Sequence, residues 1–369
     1  MKQDRFVLPA SHRPYTDAYF LRAREILAGE GLNPRVTMQV FIRDGPGQAA
    51  GLEEAAAALA AFTPLARRGG SVHGLPEGAE YAPKETLMRI EGPIQDFIEL
   101  ETLYLGILSA AATLANGEPA PDPDAVLARA RAIRELAPDK RIMYFGSRHW
   151  RWDLDEALSR AAVQGGFDAC STDAGARAAG LPGGVGTIPH ALVLCMAHAH
   201  GRERATAEST LAFHRHVDPA APRIALVDTF CREIDDTLAC ARRLGRDLWG
   251  VRLDTAGEAM AQGSPAFDGR RYWTGPGVTV ELTRAVRRAL DESGFGHVRI
   301  VLSSGFGSLE KLAAFREAEE RSGRLFDALG VGGLYESRAA TADIVRVEGR
   351  PLAKTGRVDS PNPRLIRYL

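Results

Sequence analysis

Two kinds of apolar pattern follow one another along the chain. Residues 20–30 and 49–62 are spaced as helices, the second an alanine-rich run (AAGLEEAAAALAAF) whose Glu53 and Glu54 suit a helix N-terminus. Between them VTMQVFI at 36–42 is β-branched and apolar, which predicts a strand. TLMRIE at 86–91 predicts another, ended by the Gly92-Pro93 break. A long apolar helix is predicted from about Phe97 to Ala115. Its Thr102, Gly106, Ser109 and Thr113 share one face and are small enough to let another element approach closely.

The Pro-rich acidic stretch GEPAPDPDA at 117–125 is the candidate domain boundary. Beyond it, short apolar runs alternate with helical stretches. They are RIMYFG at 141–146 with a helix at 153–164, GFDACST at 166–172, and GVGT at 184–187 with a helix after His190. IALVDTF at 224–230, LWGVRLD at 248–254, VRIVLSSG at 298–305 and ALGVGG at 328–333 complete the series. Strands that end in Gly, Ser, Thr, Asp or Arg and feed helices are parallel βα units. Six or seven such units in about 210 residues suit a (β/α) barrel better than an open sheet.

Composition narrows the class without naming a function. At about 150 residues per domain, 369 residues predict two domains. With 45% hydrophobic and 25% charged residues, the balance is that of a soluble globular protein. Lys plus Arg number 46 against 47 Asp plus Glu, so neither long nucleic acid nor an anionic membrane is an expected partner, while a small local anion site is allowed. No run approaches the roughly 20 apolar residues of a membrane span. The opening MKQDRFVLPASHRPYTDAYF lacks the apolar core of a secretory signal, so a cytoplasmic location is the default expectation. Cys170, Cys195, Cys231 and Cys240 are scattered without a CxxC pair and read as free thiols.

In a βα barrel the loops after the strands form the active face. That rule nominates Gly146, Ser147 and Arg148, then Ser171, Thr172 and Asp173, then Thr187 and His190. It adds Asp228 and Thr229, Arg252 and Asp254, Ser304 and Gly305, and Gly332 and Gly333. Two arginines, strand-end hydroxyls and two glycine turns suit phosphate, held by backbone N–H groups and helix N-termini. Asp228 and Asp254 suit magnesium or ribose hydroxyls. Plain structural roles stand beside each of these. Glycines also serve tight turns, Asp228 and Asp173 could cap helices, and His190 could cap a helix or sit satisfied in the core. His198 and His200 read as surface residues. The Arg148–Trp152 cluster (RHWRW) is too short to indicate base stacking on nucleic acid.

Seven segments in order give the pattern an identity. FGSRH (145–149), GGFDACSTDAGARAAGLP (165–182), GTIPHAL (186–192), VDTF (227–230), GVRLD (250–254), SSGFG (303–307) and GVGG (330–333) together resemble nicotinate phosphoribosyltransferase, in its compact bacterial and archaeal branch. TDAYF (16–20) looks like the family's entry motif, and EGPIQDFIELETLYLGILS (91–109) like its Glu-Thr interface helix. The resemblance spans residues 14–357.

It implies a type II phosphoribosyltransferase fold: an N-terminal α/β sandwich (1–116), an irregular, incomplete βα barrel (117–339) and a C-terminal segment (340–369) returning to the sandwich. It implies a homodimer whose partner completes each active site, with higher oligomers left open. Phe145 and Tyr19, the latter from the other subunit, would sandwich a pyridine ring, and Arg148 would face its carboxylate. Thr187 joins the substrate-binding set. His190 matches the histidine phosphorylated by ATP. Arg252 and Asp254 match the strand end that holds phosphate, ribose or magnesium, with Asp228 a second magnesium candidate. Ser304, Gly305, Gly332 and Gly333 match the 5′-phosphate cradle. The implied reaction joins nicotinate to phosphoribosyl pyrophosphate with magnesium and ATP, in NAD salvage.

Three departures accompany the resemblance. Phe306 stands where the family has glycine, which places a bulky ring beside the expected ribose site and leaves a catalytically degenerate nucleotide binder as an alternative. Asp173 lies where a carboxylate would repel nicotinate and accept from an amide, so nicotinamide and other azaheterocycles stay open. The tail after Arg357 has no cysteine, so no structural zinc is expected. Quinolinate phosphoribosyltransferase is a weaker match, since two carboxylates call for a more basic pocket.

Overall fold

The computed structural model describes residues 5–369. Its first sheet is antiparallel and runs Arg350–Pro351, Ala340–Val347, Arg35–Ile42, Thr86–Pro93, Ser71–Gly74, Ile366–Arg367. Every residue of Arg35–Ile42 after Arg35 is buried, which explains the continuous apolar run: this strand is central and covered on both faces. Its Val40 lies opposite Met88 on one side and Ala342 on the other. Helices Ala18–Gly29 and Leu52–Phe62 add apolar side chains to the same core.

Helix Glu101–Ala115 is the core helix of this half, and Tyr104 Oη donates to Met38 Sδ at 2.9 Å. The expected small-residue face is present and used. Asp17 N donates to Thr102 Oγ1 at 3.0 Å, Ala340 N to Ser109 Oγ at 2.9 Å, and Arg338 N to Thr113 Oγ1 at 2.9 Å. At Gly106 a Cβ would stand 2.3 Å from the Trp150 carbonyl oxygen. Gly106→Ala therefore forces the 147–150 turn off the helix, at an expected cost of about 1–3 kcal/mol. A thermal melt should show a transition several degrees lower, and an unchanged transition would refute the close approach. The segment 98–115 is apolar and long enough to resemble a membrane span, closer to that limit than the apolar run lengths suggested; 83% of it is buried inside the fold.

Helix Pro123–Leu136 begins directly after the Pro-rich stretch, with Asp122 accepting from Asp124 N at 3.0 Å as its cap. It packs on helices Asp155–Gln164 and Leu309–Ser322, which cover the second sheet. That sheet is parallel throughout, in the order Ala169–Cys170, Arg141–Tyr144, Ala328–Val331, Arg299–Leu302, Leu248–Leu253, Arg223–Leu226. It curves as a half barrel with a gap between its first and last strands.

The gap corrects one expectation. Residues 184–187 form no strand; Val185 N donates once to Cys170 O at 2.8 Å and the ladder goes no further. The cause is the next helix along the chain. Helix His190–His200 leaves the parallel sheet and puts Leu192, Val193, Cys195 and Met196 into the same apolar cluster as Met38, Met88 and Ile344 of the antiparallel sheet. Burial against the sandwich outweighs another short rung of the barrel. This helix and strand Ala340–Val347 join the two halves, and the site forms at their junction. The 166–172 strand shrinks to Ala169–Cys170 because Thr172 already caps the next helix. All four cysteines are free thiols, three of them buried.

Candidate active site

A cavity of about 380 Å³ opens where the C-terminal ends of the parallel strands meet helix His190–His200 and strand Ala340–Val347. Ten expected site residues line it. Tyr19, Phe145 and Arg148 form an aromatic and basic group; His190, Arg252 and Asp254 with Ser304, Gly305, Gly332 and Gly333 form a polar group. Asp173, Thr187 and Asp228 do not line it.

Phe145 follows strand Arg141–Tyr144 and its N–H donates to Val331 O at 2.8 Å. Its ring lies over Gly330, where a Cβ would come within 2.4 Å of Phe145 Cε2, so only glycine admits the ring. Tyr19 sits at the start of helix Ala18–Gly29 and lines the cavity of its own chain. The helix start is bound in place: Ala18 N donates to Ser171 O at 2.8 Å, and Thr102 Oγ1 donates to Asp17 Oδ2 at 2.9 Å. Arg148 Nη1 donates to the Tyr19 hydroxyl at 3.2 Å and lies 3.9 Å from Glu101 Oε1. His149 is on the same wall; burial first, and then Arg148, push its pKa down to about 4, so the imidazole is neutral near pH 7.

Asp173 has a different job from the one its position suggested. Its Oδ1 accepts from Gly184 N at 2.9 Å and closes the 173–184 loop, while Thr172 caps the helix by accepting from Gly175 N at 3.1 Å. It is spent on backbone, away from the ring site.

In the polar group, Arg252 Nη1 donates to Thr187 Oγ1 at 2.8 Å, which orients the guanidinium. Asp254 accepts from Ser303 Oγ at 2.8 Å and faces Arg252 Nη2 at 3.7 Å. Ser304 (φ 71°) and Gly305 (φ 82°) are consecutive left-handed residues that turn the chain sharply after strand Arg299–Leu302. That turn overturns the concern about Phe306. Its ring is swung into the core, 1% exposed and 5.0 Å from Phe315 in an edge contact, away from the cavity. At Gly307 a Cβ would stand 1.9 Å from Gly333 O, so the two glycine turns touch.

Several cavity groups were not anticipated from the sequence. Lys354, in the segment after strand Arg350–Pro351, places Nζ 2.9 Å from His190 Nε2 and 3.3 Å from Asp254 O, and hydrogen-bonds to Asp228 Oδ2. Asp228 is fully buried, its two oxygens 3.0 and 3.2 Å from His190 Nε2. Burial works to raise its pKa, but Lys354 and then His190 outweigh it and hold the carboxyl well below its usual range. Both Asp228 oxygens are thus engaged by His190 and Lys354, and Asp228 stands behind His190, off the cavity wall. Lys311 is another missed cation: its Nζ donates to Ser304 O at 2.7 Å beneath the Ser304-Gly305 turn, and burial lowers its pKa to about 8. Arg43 and Arg357 face the cavity and both bind Glu258, at 2.8 and 2.6 Å. No local signal marks Lys354, because its partners lie 126 and 164 residues away. Lys311 was findable as the residue whose N–H meets the Ser308 cap.

The chain's relatives agree with this architecture. The quinolinate phosphoribosyl transferase N-terminal domain model matches residues 17–112. A nicotinate phosphoribosyltransferase of Bacillus subtilis is 26% identical over 63% of this chain and 40% of its own length. One of Mycobacterium tuberculosis is 28% identical over 71% and 47%. The chain thus spans less than half the length of these relatives. Among solved structures, the nicotinate phosphoribosyltransferase of Porphyromonas gingivalis aligns over 94% of this chain and 93% of its own, with a TM-score of 0.66 at 14% identity. That of Vibrio cholerae aligns over 92% and 87%, with a TM-score of 0.67 at 16% identity. At such identities the structures speak for the fold: an antiparallel sandwich beside a parallel half barrel. The fold is that of the type II phosphoribosyltransferases, and the sequence relatives make the chain similar to nicotinate and quinolinate phosphoribosyltransferases.

Proposed function

We propose that the chain forms nicotinate mononucleotide and pyrophosphate from nicotinate and phosphoribosyl pyrophosphate, coupled to ATP hydrolysis, in NAD salvage. The observation that carries this reading is the single cavity in which Tyr19, Phe145 and Arg148 face the same space as His190, Arg252 and the two glycine turns. A flat ring stacks on the aromatic pair, worth about 0.5–1.5 kcal/mol beyond burial, and Arg148 offers its carboxylate a fork of donors. Glycine backbone at 305, 332 and 333 receives the 5′-phosphate, with Lys311 supplying charge from below. The ring nitrogen bonds to ribose C1 as the bond to pyrophosphate breaks, and the electron pair leaves with the pyrophosphate oxygen. Arg252, oriented by Thr187, stabilises charge as it develops there. In the coupled step a His190 nitrogen takes the γ-phosphoryl group, ADP leaves, and water later releases phosphate.

Asp254 is the expected residue that fits magnesium. Among the described residues no cluster of three or more His, Cys, Asp or Glu side chains could hold a metal ion, so the ion would rest chiefly on substrate phosphate oxygens and water. Magnesium would neutralise the leaving pyrophosphate.

A chromatographic assay with phosphoribosyl pyrophosphate, magnesium and ATP tests the reading, with nicotinate, nicotinamide and quinolinate offered in parallel. Mononucleotide from nicotinate with matching ADP release is expected; product from quinolinate alone, or from no base, would overturn it. In the same assay Arg148→Ala should raise KM for nicotinate by about tenfold or more and for nicotinamide much less, since a charge-assisted contact contributes about 1.5–3 kcal/mol. Equal increases would remove Arg148 from carboxylate recognition.

A further inference from the structure

Glu101 is the one buried acid on the ring side of the cavity that the proposed reaction leaves unused. It lines the cavity on the first turn of helix Glu101–Ala115 and is 6% exposed. Other buried acids of the chain each accept from a hydroxyl through at least one oxygen: Asp17 from Thr102 at 2.9 Å, Asp155 from Thr172 at 2.5 Å, Asp236 from Thr206 at 2.5 Å, Glu233 from Thr255 at 2.8 Å. Among the described residues the Glu101 carboxyl has no hydrogen-bond donor in the chain, and its nearest cation is Arg148 Nη1 at 3.9 Å. The chain thus offers this carboxyl no donor of its own, and it lines the cavity beside Arg148, where a ring substituent would lie.

Resting on the phosphoribosyltransferase reading, we infer that Glu101 decides which ring the cavity accepts. As an uncharged acid beside Arg148 it leaves the subsite with one positive charge and donates a hydrogen bond, which fits a monoanionic pyridine carboxylate. As a carboxylate it cancels Arg148 and accepts from an N–H, which fits a neutral carboxamide. The groups facing it are Arg148 from the 147–149 turn, Asp343 from strand Ala340–Val347, Asp17 and Tyr19 at the start of helix Ala18–Gly29, and Tyr104 on its own helix. Burial is the largest influence and raises its pKa, Arg148 opposes, Asp343 and Asp17 add to the rise, and the result is about 8. The acid form therefore holds at neutral pH and gives way above it.

The test is calorimetric binding of nicotinate and nicotinamide to the whole protein between pH 7 and pH 9, alongside product formation. Nicotinate stays singly anionic across that range, so any slope belongs to the protein. The expected result is a Kd for nicotinate about tenfold weaker at pH 9 than at pH 7, with nicotinamide unchanged or tighter. Glu101→Gln, which keeps the shape and an N–H donor, should flatten the nicotinate profile and leave Lys311, the other group titrating near pH 8, in place. A flat wild-type profile, or an unchanged slope in Glu101→Gln, overturns the assignment. If nicotinate is converted to product but binds without pH dependence, only the role of Glu101 fails. If neither base binds or reacts, the phosphoribosyltransferase reading fails and takes this inference with it.

Discussion

Replacing His190 with alanine should abolish phosphoenzyme formation and lower ATP hydrolysis by at least about a thousandfold, while slow ATP-independent transfer persists. The expectation rests on division of labour in the cavity. In the proposed reaction the ring and ribose-phosphate contacts would come from Tyr19, Phe145, Arg148 and the glycine turns, which line the cavity without bonding to the imidazole. His190 Nε2 faces Asp228 at 3.0 Å; with the ring proton on Nε2 and donated to that carboxylate, Nδ1 carries the lone pair that would take the phosphoryl group. Radiolabelled γ-phosphate on the acid-labile, base-stable fraction of the protein reads the intermediate directly. Unchanged ATP hydrolysis in the variant would rule out the phosphohistidine.

Lys354→Met should be the most destabilising single change near the site. It leaves the fully buried Asp228 with His190 as its sole remaining partner, and breaking such a pair costs about 3–5 kcal/mol. Thermal unfolding should fall by roughly 5 °C or more. The pH dependence is set by the sign of the Asp228 shift. Its folded-state pKa is depressed, so its contribution to stability is present above the unfolded carboxylate value near 4 and is lost as pH falls toward the folded value. Wild type should therefore lose stability below pH 4 that Lys354→Met has already lost, and the two melting curves should converge in acid. Adding Asp228→Asn to Lys354→Met removes the stranded charge and should recover much of the loss. A double variant no more stable than the single one would show that Lys354 acts by packing alone.

How far the sequence was legible differs from residue to residue. Val36–Ile42 was readable as a strand because a central strand covered on both faces must be apolar throughout. Gly106 and its small neighbours announced a close approach because a helix repeats every 3.6 residues, whatever it packs against. Arg148, Arg252 and Gly305 were reached because parallel βα units present their strand ends on one face, whereas Phe145 came from the likeness of FGSRH alone. Three candidates lie off the cavity wall for a common reason. Asp173, Thr187 and Asp228 occupy strand-end positions too, yet Gly184 N, Arg252 and His190 claim them at 2.8 to 3.2 Å. Which polar group a side chain reaches is a matter of a few ångströms in space, and spacing along the chain does not encode it.

Local rules acting within a few residues, namely periodicity, capping, turn chemistry and the polar ends of strands, were enough for the sequence by itself to determine the elements, the α/β class and most of the cavity wall. Tertiary structure alone decided that Tyr19 faces its own chain's cavity, that Phe306 turns into the core, that helix His190–His200 packs into the sandwich, and that Lys354 crosses from the other half to meet His190 and Asp228. Apart from Phe306, which packs on nearby Phe315, those outcomes depend on contacts between residues more than a hundred positions apart, where burial of apolar surface and pairing of buried charge select one packing among many that local preference allows.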